Sequence, residues 1–191
     1  MDTPHDPQET LRAWQARADE LQGRHPRHGV LPPGELSGRS GLKTFEAMLA
    51  GDLPSPPIAQ TLDFMLVEAD TGRAVFQGRP RHEHYNPMGT VHGGWYATLL
   101  DSAVACAVHT TLEPGVAYTT AELKINIVRP LTDRVPLVRA EGQVVHRGRR
   151  MATAEGRLYG PDGKLYAHAS TTCFLFDAAA GARGDRDGSP E

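Results

Sequence analysis

Asn86-Pro87-Met88-Gly89-Thr90-Val91-His92-Gly93-Gly94-Trp95-Tyr96-Ala97-Thr98-Leu99-Leu100-Asp101 is the stretch on which the rest of this 191-residue chain turns. It opens as a loop, with an Asn-Pro pair and glycines at 89, 93 and 94. From Trp95 to Thr110 there is neither proline nor glycine, and Ala and Leu recur, so the spacing predicts one helix. That helix is apolar almost all round, the pattern of a helix enclosed by other structure. Asp101 is the exception. A buried carboxylate without partners is costly, so Asp101 faces a polar cleft, is paired, or stands on a solvated side.

The loop before the helix bears on that choice. Gly93 and Gly94 allow close approach of a ligand to the backbone. A helix N-terminus carries unpaired N–H donors and the positive end of the dipole, and so suits an oxyanion. Donors for negative charge and a carboxylate on one helix point to acyl-transfer or hydrolytic chemistry. Gly93 and Asp101 are eight residues apart, roughly 12 Å at ~1.5 Å per residue. They cannot both reach one carbonyl within a single chain. If they cooperate, a second subunit supplies the carboxylate, which a symmetric dimer does twice.

Composition narrows the field. At 39% hydrophobic and 23% charged residues the chain has the make-up of a globular protein. Its net charge of −3 gives no reason to expect nucleic acid as a partner. The polar, acidic N-terminus is unlike a signal peptide. No apolar run approaches the ~20 residues that span a bilayer, so a cytoplasmic location without membrane partners is the expectation. Cys106 and Cys173 lie in apolar contexts and read as inert thiols.

Gln8 to Gln22 has helical spacing, with Leu11, Trp14, Ala18 and Leu21 on one stripe. A Pro- and Gly-rich linker follows, then a second short helix with Ser40 as N-cap, an apolar face of Leu42, Phe45, Met48 and Leu49, and Gly51 as its stop. Leu53 to Pro57 reads as extended. Strands are expected at 61–68 and 73–79, joined by the Thr71-Gly72 turn. After the central helix come strands at 117–128, 137–147, 151–159 and 165–176. The divisions are an N-terminal extension over 1–60, a core domain over 61–176 and a disordered tail over 177–191. Two strands, one long helix and four strands make an α+β domain: a curved antiparallel six-stranded sheet wrapped around one central helix.

Asn86, then His92-Gly93-Gly94 six residues on, then Asp101 nine residues after the histidine, resembles the hotdog-fold acyl-CoA thioesterases, in their phenylacetate-degradation (PaaI-like) branch. The resemblance covers about 62–176 and includes Asn126 to Pro130 and the Gly148-Arg149-Arg150 turn. It implies that Asp101 is the catalytic carboxylate, as general base on water or as nucleophile. Gly93 would polarise the thioester carbonyl through its N–H, with Gly94 beside it at the substrate. Asn86 would position water or carbonyl, and His92 would orient the motif. Thr120, or Thr119 beside it, would assist the attacking water. Arg147, Arg149 and Arg150 would hold the coenzyme A phosphates. The resemblance implies an acyl-CoA substrate, no cofactor, and a homodimer or homotetramer whose sites take Asp101 from one subunit and Gly93 and Asn86 from the other. Two other readings are a non-catalytic acyl-CoA-binding hotdog module, which need not keep the Asn86–Gly93–Asp101 set, and a hotdog hydratase or dehydratase built on His92. His82, His84 and His92 have no second ligand set at a zinc-like spacing, so no metal is expected.

Overall fold

The computed structural model describes residues 6–24, 27–32, 34–35 and 38–179. Disorder is the sequence expectation for residues 1–7 and 177–191; residues 1–5 and 180–191 lie outside the described ones, whereas Pro7 opens a helix and Asp177 ends a strand. The described elements are helices α1 (Pro7–Arg24), α2 (Gly41–Ala50), α3 (Pro57–Thr61) and α4 (Gly93–His109), and strands β1 (Phe64–Asp70), β2 (Arg73–Gly78), β3 (Val116–Ile127), β4 (Val138–Arg147), β5 (Met151–Tyr159) and β6 (Leu165–Asp177). A short 3-10 turn, His82–His84, interrupts the loop before α4. Among the described residues no helix is long and apolar enough to cross a membrane.

The six strands form one antiparallel sheet in the order β1-β2-β4-β5-β6-β3. It curves around α4 without closing, which leaves β1 and β3 as edges. A row of small residues seats the helix. Ala74, Gly142, Gly156 and Ala169 are successive register partners across β2, β4, β5 and β6. A Cβ on Gly142 would overlap the carbonyl of Ala103, and one on Gly156 would come within 2.6 Å of the Val104 side chain. The backbones of helix and sheet therefore meet closely at the middle of α4. Leu99, Leu100, Ala103 and Ala107 fill the remaining space with Phe76, Val138, Ala140 and Leu158.

Two differences from the expected elements matter. Pro57, expected to end an extended lead-in, and Thr61, expected to start a strand, instead bound α3: Pro57 takes the first helical position after Pro56, where its missing N–H is not needed. The first strand accordingly starts at Phe64 rather than at 61. Secondly, α4 is not enclosed all round. Ala97, Thr98, Asp101, Ser102, Cys106 and His109 are only half-buried, a strip along the side where the sheet does not close.

The N-terminal helices sit on either side of the β1 edge. The stripe of α1 lies on the outer face of the sheet, where Leu21 packs on Val67 and Val75. Trp14 stacks under the Arg139 guanidinium, 4.7 Å from the ring centroid. Arg139 is held in turn by Gln77 and Glu68. On the inner side, α2 abuts the C-terminal end of α4. The Gly41 N–H donates to the Leu112 carbonyl at 2.9 Å, and a Cβ at 41 would overlap the His109 carbonyl. Phe45 meets the His109 ring edge-on at 5.2 Å. Ser40 caps α2 and Gly51 ends it at φ 92°, both as expected.

Candidate active site

The loop from Arg81 to His92 is held by its own polar groups. The Asn86 side chain accepts from the Met88 N–H at 2.9 Å and donates to Thr90 Oγ1 at 3.0 Å, which tightens the turn through Gly89. His84 is buried against Trp95, with ring centroids 5.5 Å apart, and its Nδ1 accepts from the Arg81 N–H. Burial lowers the pKa of His84, and its ring packs as part of the core. The Trp95 indole N–H donates to the Leu62 carbonyl, and the buried Tyr96 hydroxyl donates to the Arg129 carbonyl. Both aromatic residues are packing residues of the helix start.

His92 is the N-cap of α4. Its backbone is extended, and its Nδ1 accepts from the Gly94 N–H at 2.9 Å. The Trp95 N–H donates to the His92 carbonyl. That leaves the Gly93 N–H as the donor of this first turn without a hydrogen bond among the described residues. It opens into a surface depression of about 340 Å³ lined by Asn86, Thr90, Gly93, Ile127 and Arg129. Asn86 and Gly93 are thus brought together, with Arg129 as the nearby cation. Gly94 stands beside them, but its N–H is occupied by His92.

Asp101 lies two turns further along α4, on the half-buried strip. Thr120 Oγ1 donates to its carboxylate at 3.2 Å. Burial raises the Asp101 pKa above its ordinary value, and the Thr120 hydrogen bond opposes that shift without cancelling it. A bulge in the β3–β6 pairing falls between Thr120 and Glu122, just beyond this contact. Thr119 is exposed and, by strand alternation, turned to the opposite face. Of the two threonines, Thr120 is the one beside the carboxylate.

Arg147, Arg149 and Arg150 are exposed at the β4–β5 turn. Arg149 and Arg150 line a shallow depression with Gly115, Val116 and Phe176. This is where β3 begins, whereas Gly93 is beside Ile127, where β3 ends. The strand between them spans on the order of 35 Å. One chain therefore does not bring these arginines to its own Gly93. Both cysteines are free thiols, and burial pushes Cys106 up to about 12, far from a reactive thiolate. No cluster of three metal-ligating side chains occurs among the described residues.

Sequence reasoning missed the neighbours of Asp101. Ser102, Cys106 and His109 continue its strip on α4, and Tyr118 precedes Thr120 by two residues on the same face of β3. The spacing 98, 102, 106, 109 of small or polar residues was the available signal for them.

Comparison with known proteins bears on the fold and the family. Residues 88–167 match the family model described as the thioesterase superfamily. Human acyl-coenzyme A thioesterase 13 is 30% identical over 111 residues, 58% of this chain and 78% of that protein. A phenylacetic acid degradation-related protein of Ralstonia eutropha superposes with a TM-score of 0.62 at 33% identity, covering 68% of this chain and 98% of that one. A variant of the phenylacetic acid degradation protein PaaI of Thermus thermophilus gives 0.56 at 31% identity, over 62% and 97% of the two chains.

Proposed function

This chain belongs to the thioesterase superfamily, as a hotdog-fold thioester hydrolase, and from that premise we propose that it hydrolyses acyl-CoA to the free acid and coenzyme A at sites shared between two subunits. The observation that carries the reading is the division of α4. Its first turn presents the Gly93 N–H, which has no hydrogen bond among the described residues, and its third turn presents a half-buried carboxylate with a hydroxyl partner. The two groups are roughly 12 Å apart along the helix, so neither serves the other in one chain.

An antiparallel partner helix removes the difficulty. The Gly93 N–H of one subunit polarises the thioester carbonyl, Asn86 steadies water or carbonyl beside it, and His92 holds the helix start in place. Asp101 of the other subunit, oriented by Thr120, takes a proton from water as the oxygen attacks the carbonyl carbon. The C–S bond then breaks, and the proton passes from Asp101 to the departing thiolate. A thiolate is a good leaving group, so no further acid is needed. A positioned carboxylate contributes about 10²–10⁴-fold as general base, and an oxyanion donor about 10²–10³.

The unpaired β3 edge supports the dimer. Twelve residues of strand lie open on one side, and Ile127 and Val128 beside the Gly93 depression are 48% and 55% exposed. A long edge of this kind is ordinarily covered or paired. The coenzyme A phosphates would fall to Arg129 or to the arginines at 147, 149 and 150, which an antiparallel partner places beyond the Asp101 half of the site. His92 is engaged in the helix cap, which leaves the hydratase reading without a free imidazole nitrogen at Nδ1. The test is an acyl-CoA panel with detection of free thiol. Turnover of at least one member is expected; binding without turnover across the panel refutes the hydrolase reading and favours a binding module.

A further inference from the structure

The half-buried strip of α4 does not end at Asp101. Beyond it, between α4, β3 and the N-terminal extension, lies a cavity of about 310 Å³. Ser102, Cys106, His109 and Tyr118 form its core wall, and Phe45 and Met48 of α2 form the opposite wall. Asp101 and Thr120 do not line it, but its wall continues from both: Ser102 follows Asp101 on α4, and Tyr118 is two residues from Thr120 on β3.

Three properties of the cavity identify what it would take. Its lining is mostly apolar, from Phe45, Met48 and Phe76 among others. Its polar groups are neutral: burial holds His109 down to about 4, pushes Cys106 up to about 12 and holds Tyr118 well above its ordinary value. Nothing in that wall compensates a second charge, and an unpaired charge brought there would be strongly disfavoured. Its volume is roughly twice the ~150 Å³ of an apolar cavity that takes up benzene, a capacity on the order of twelve carbon atoms.

We propose that this cavity holds the acyl group of the thioester, and that helix α2 thereby restricts the enzyme to uncharged, apolar acyl groups of medium size. This rests on the acyl-CoA thioesterase reading above. The extension supplies one whole wall, and Phe45 and Met48 lie well before the residues matched by the family model. Gly41 fixes that wall, since it docks α2 against the end of α4 with no room for a side chain.

The experiment compares butyryl-, octanoyl-, palmitoyl- and suberyl-CoA. Suberyl matches octanoyl in length and adds a terminal carboxylate. The wild-type chain is expected to prefer octanoyl over both palmitoyl and suberyl by about tenfold or more in kcat/KM, the discrimination an apolar pocket gives. Met48→Trp narrows the cavity and is expected to lower the octanoyl-to-butyryl ratio about tenfold. Met48→Ala widens it and raises the palmitoyl-to-octanoyl ratio. Thermal melting checks that each variant is folded, and Met48→Ala keeps the test open if Met48→Trp does not fold. An acyl profile that is unchanged in the folded variants, or equal turnover of suberyl and octanoyl, overturns this proposal alone. No turnover of any member by wild type overturns the thioesterase reading and this proposal with it.

Discussion

Replacing Gly93 by proline deletes one atom of interest, the N–H assigned to the thioester carbonyl, and the local structure tolerates the change. Gly93 is the first residue of α4, where proline is favoured because its fixed φ suits the helix. The preceding His92 is at φ −62°, ψ 139°, the extended backbone that a following proline requires. A Cβ at 93 meets only the terminal methyl of Ile127, at 3.3 Å, which a rotation relieves. The Gly93 N–H has no partner among the described residues, so no hydrogen bond of the fold is lost. Stability should therefore hold, with a melting temperature within about 2–4 °C of wild type, the change that ~1 kcal/mol produces in a chain of this size. Activity should not hold. Removing one oxyanion donor lowers kcat by about 10²–10³, or about 2.7–4 kcal/mol of barrier. The assay is kcat and KM for the best acyl-CoA by thiol release, beside a thermal melt at the same protein concentration. A folded Gly93→Pro variant with wild-type kcat would refute the assignment of this amide as the oxyanion donor.

Asp101→Asn is expected to lower kcat by about 10²–10⁴ and to raise thermal stability at neutral pH. The sign follows from the raised pKa: the native state holds the Asp101 proton to higher pH than the unfolded chain, so stability falls as pH rises through the window just above 3.8. The gain from the variant should shrink as melts are taken down toward pH 4; a loss of stability at pH 7 would contradict it. Thr120→Val removes the hydrogen bond that favours the carboxylate, so the acid limb of kcat/KM should move to higher pH than in wild type; an unmoved limb would detach Thr120 from Asp101. Mixing Asp101→Asn with Gly93→Pro subunits should restore about a quarter of wild-type activity, since half the dimers formed on exchange are mixed and each carries one intact site. No recovery after verified exchange would place both groups in one subunit's site. Gly142→Ala, whose Cβ would overlap the Ala103 carbonyl, is expected to destabilise by about 1–3 kcal/mol, read as a lower melting temperature.

The succession of strands along the chain was legible because turn residues and alternation recur at short intervals in its second half. β5 begins and ends where the pattern places it, at Met151 and Tyr159. What pattern could not convey was the third dimension of α4. An apolar helix reads as enclosed on all sides, yet the sheet stops short and leaves the strip from Thr98 to His109 half-buried. Ala and Cys are small enough to look like core in a one-dimensional reading. Similarly, the seat for α4 is written in residues from different strands. Ala74, Gly142, Gly156 and Ala169 become a row only through the register. Pro57 shows the opposite error: a proline cluster reads as extended, but proline at a first helical position starts α3.

The candidate site was legible for a different reason, which is that its residues are poorly explained by the fold. Asp101 gains one hydroxyl partner and loses hydration, and burial outweighs the hydrogen bond. The Gly93 N–H faces a depression with nothing to accept from it, while its neighbour Gly94 is capped. A sequence selected for stability alone has cheap remedies at both positions, an amide side chain at 101 and a proline at 93. Both residues have the character of a site whose partner groups arrive from outside the chain: a carbonyl oxygen at Gly93 and a water at Asp101. Because one helix carries both at a fixed spacing of eight residues, the two halves cannot drift together within a subunit. The same rigidity that separates them in one chain is what an antiparallel second copy would use to bring the opposite halves into register.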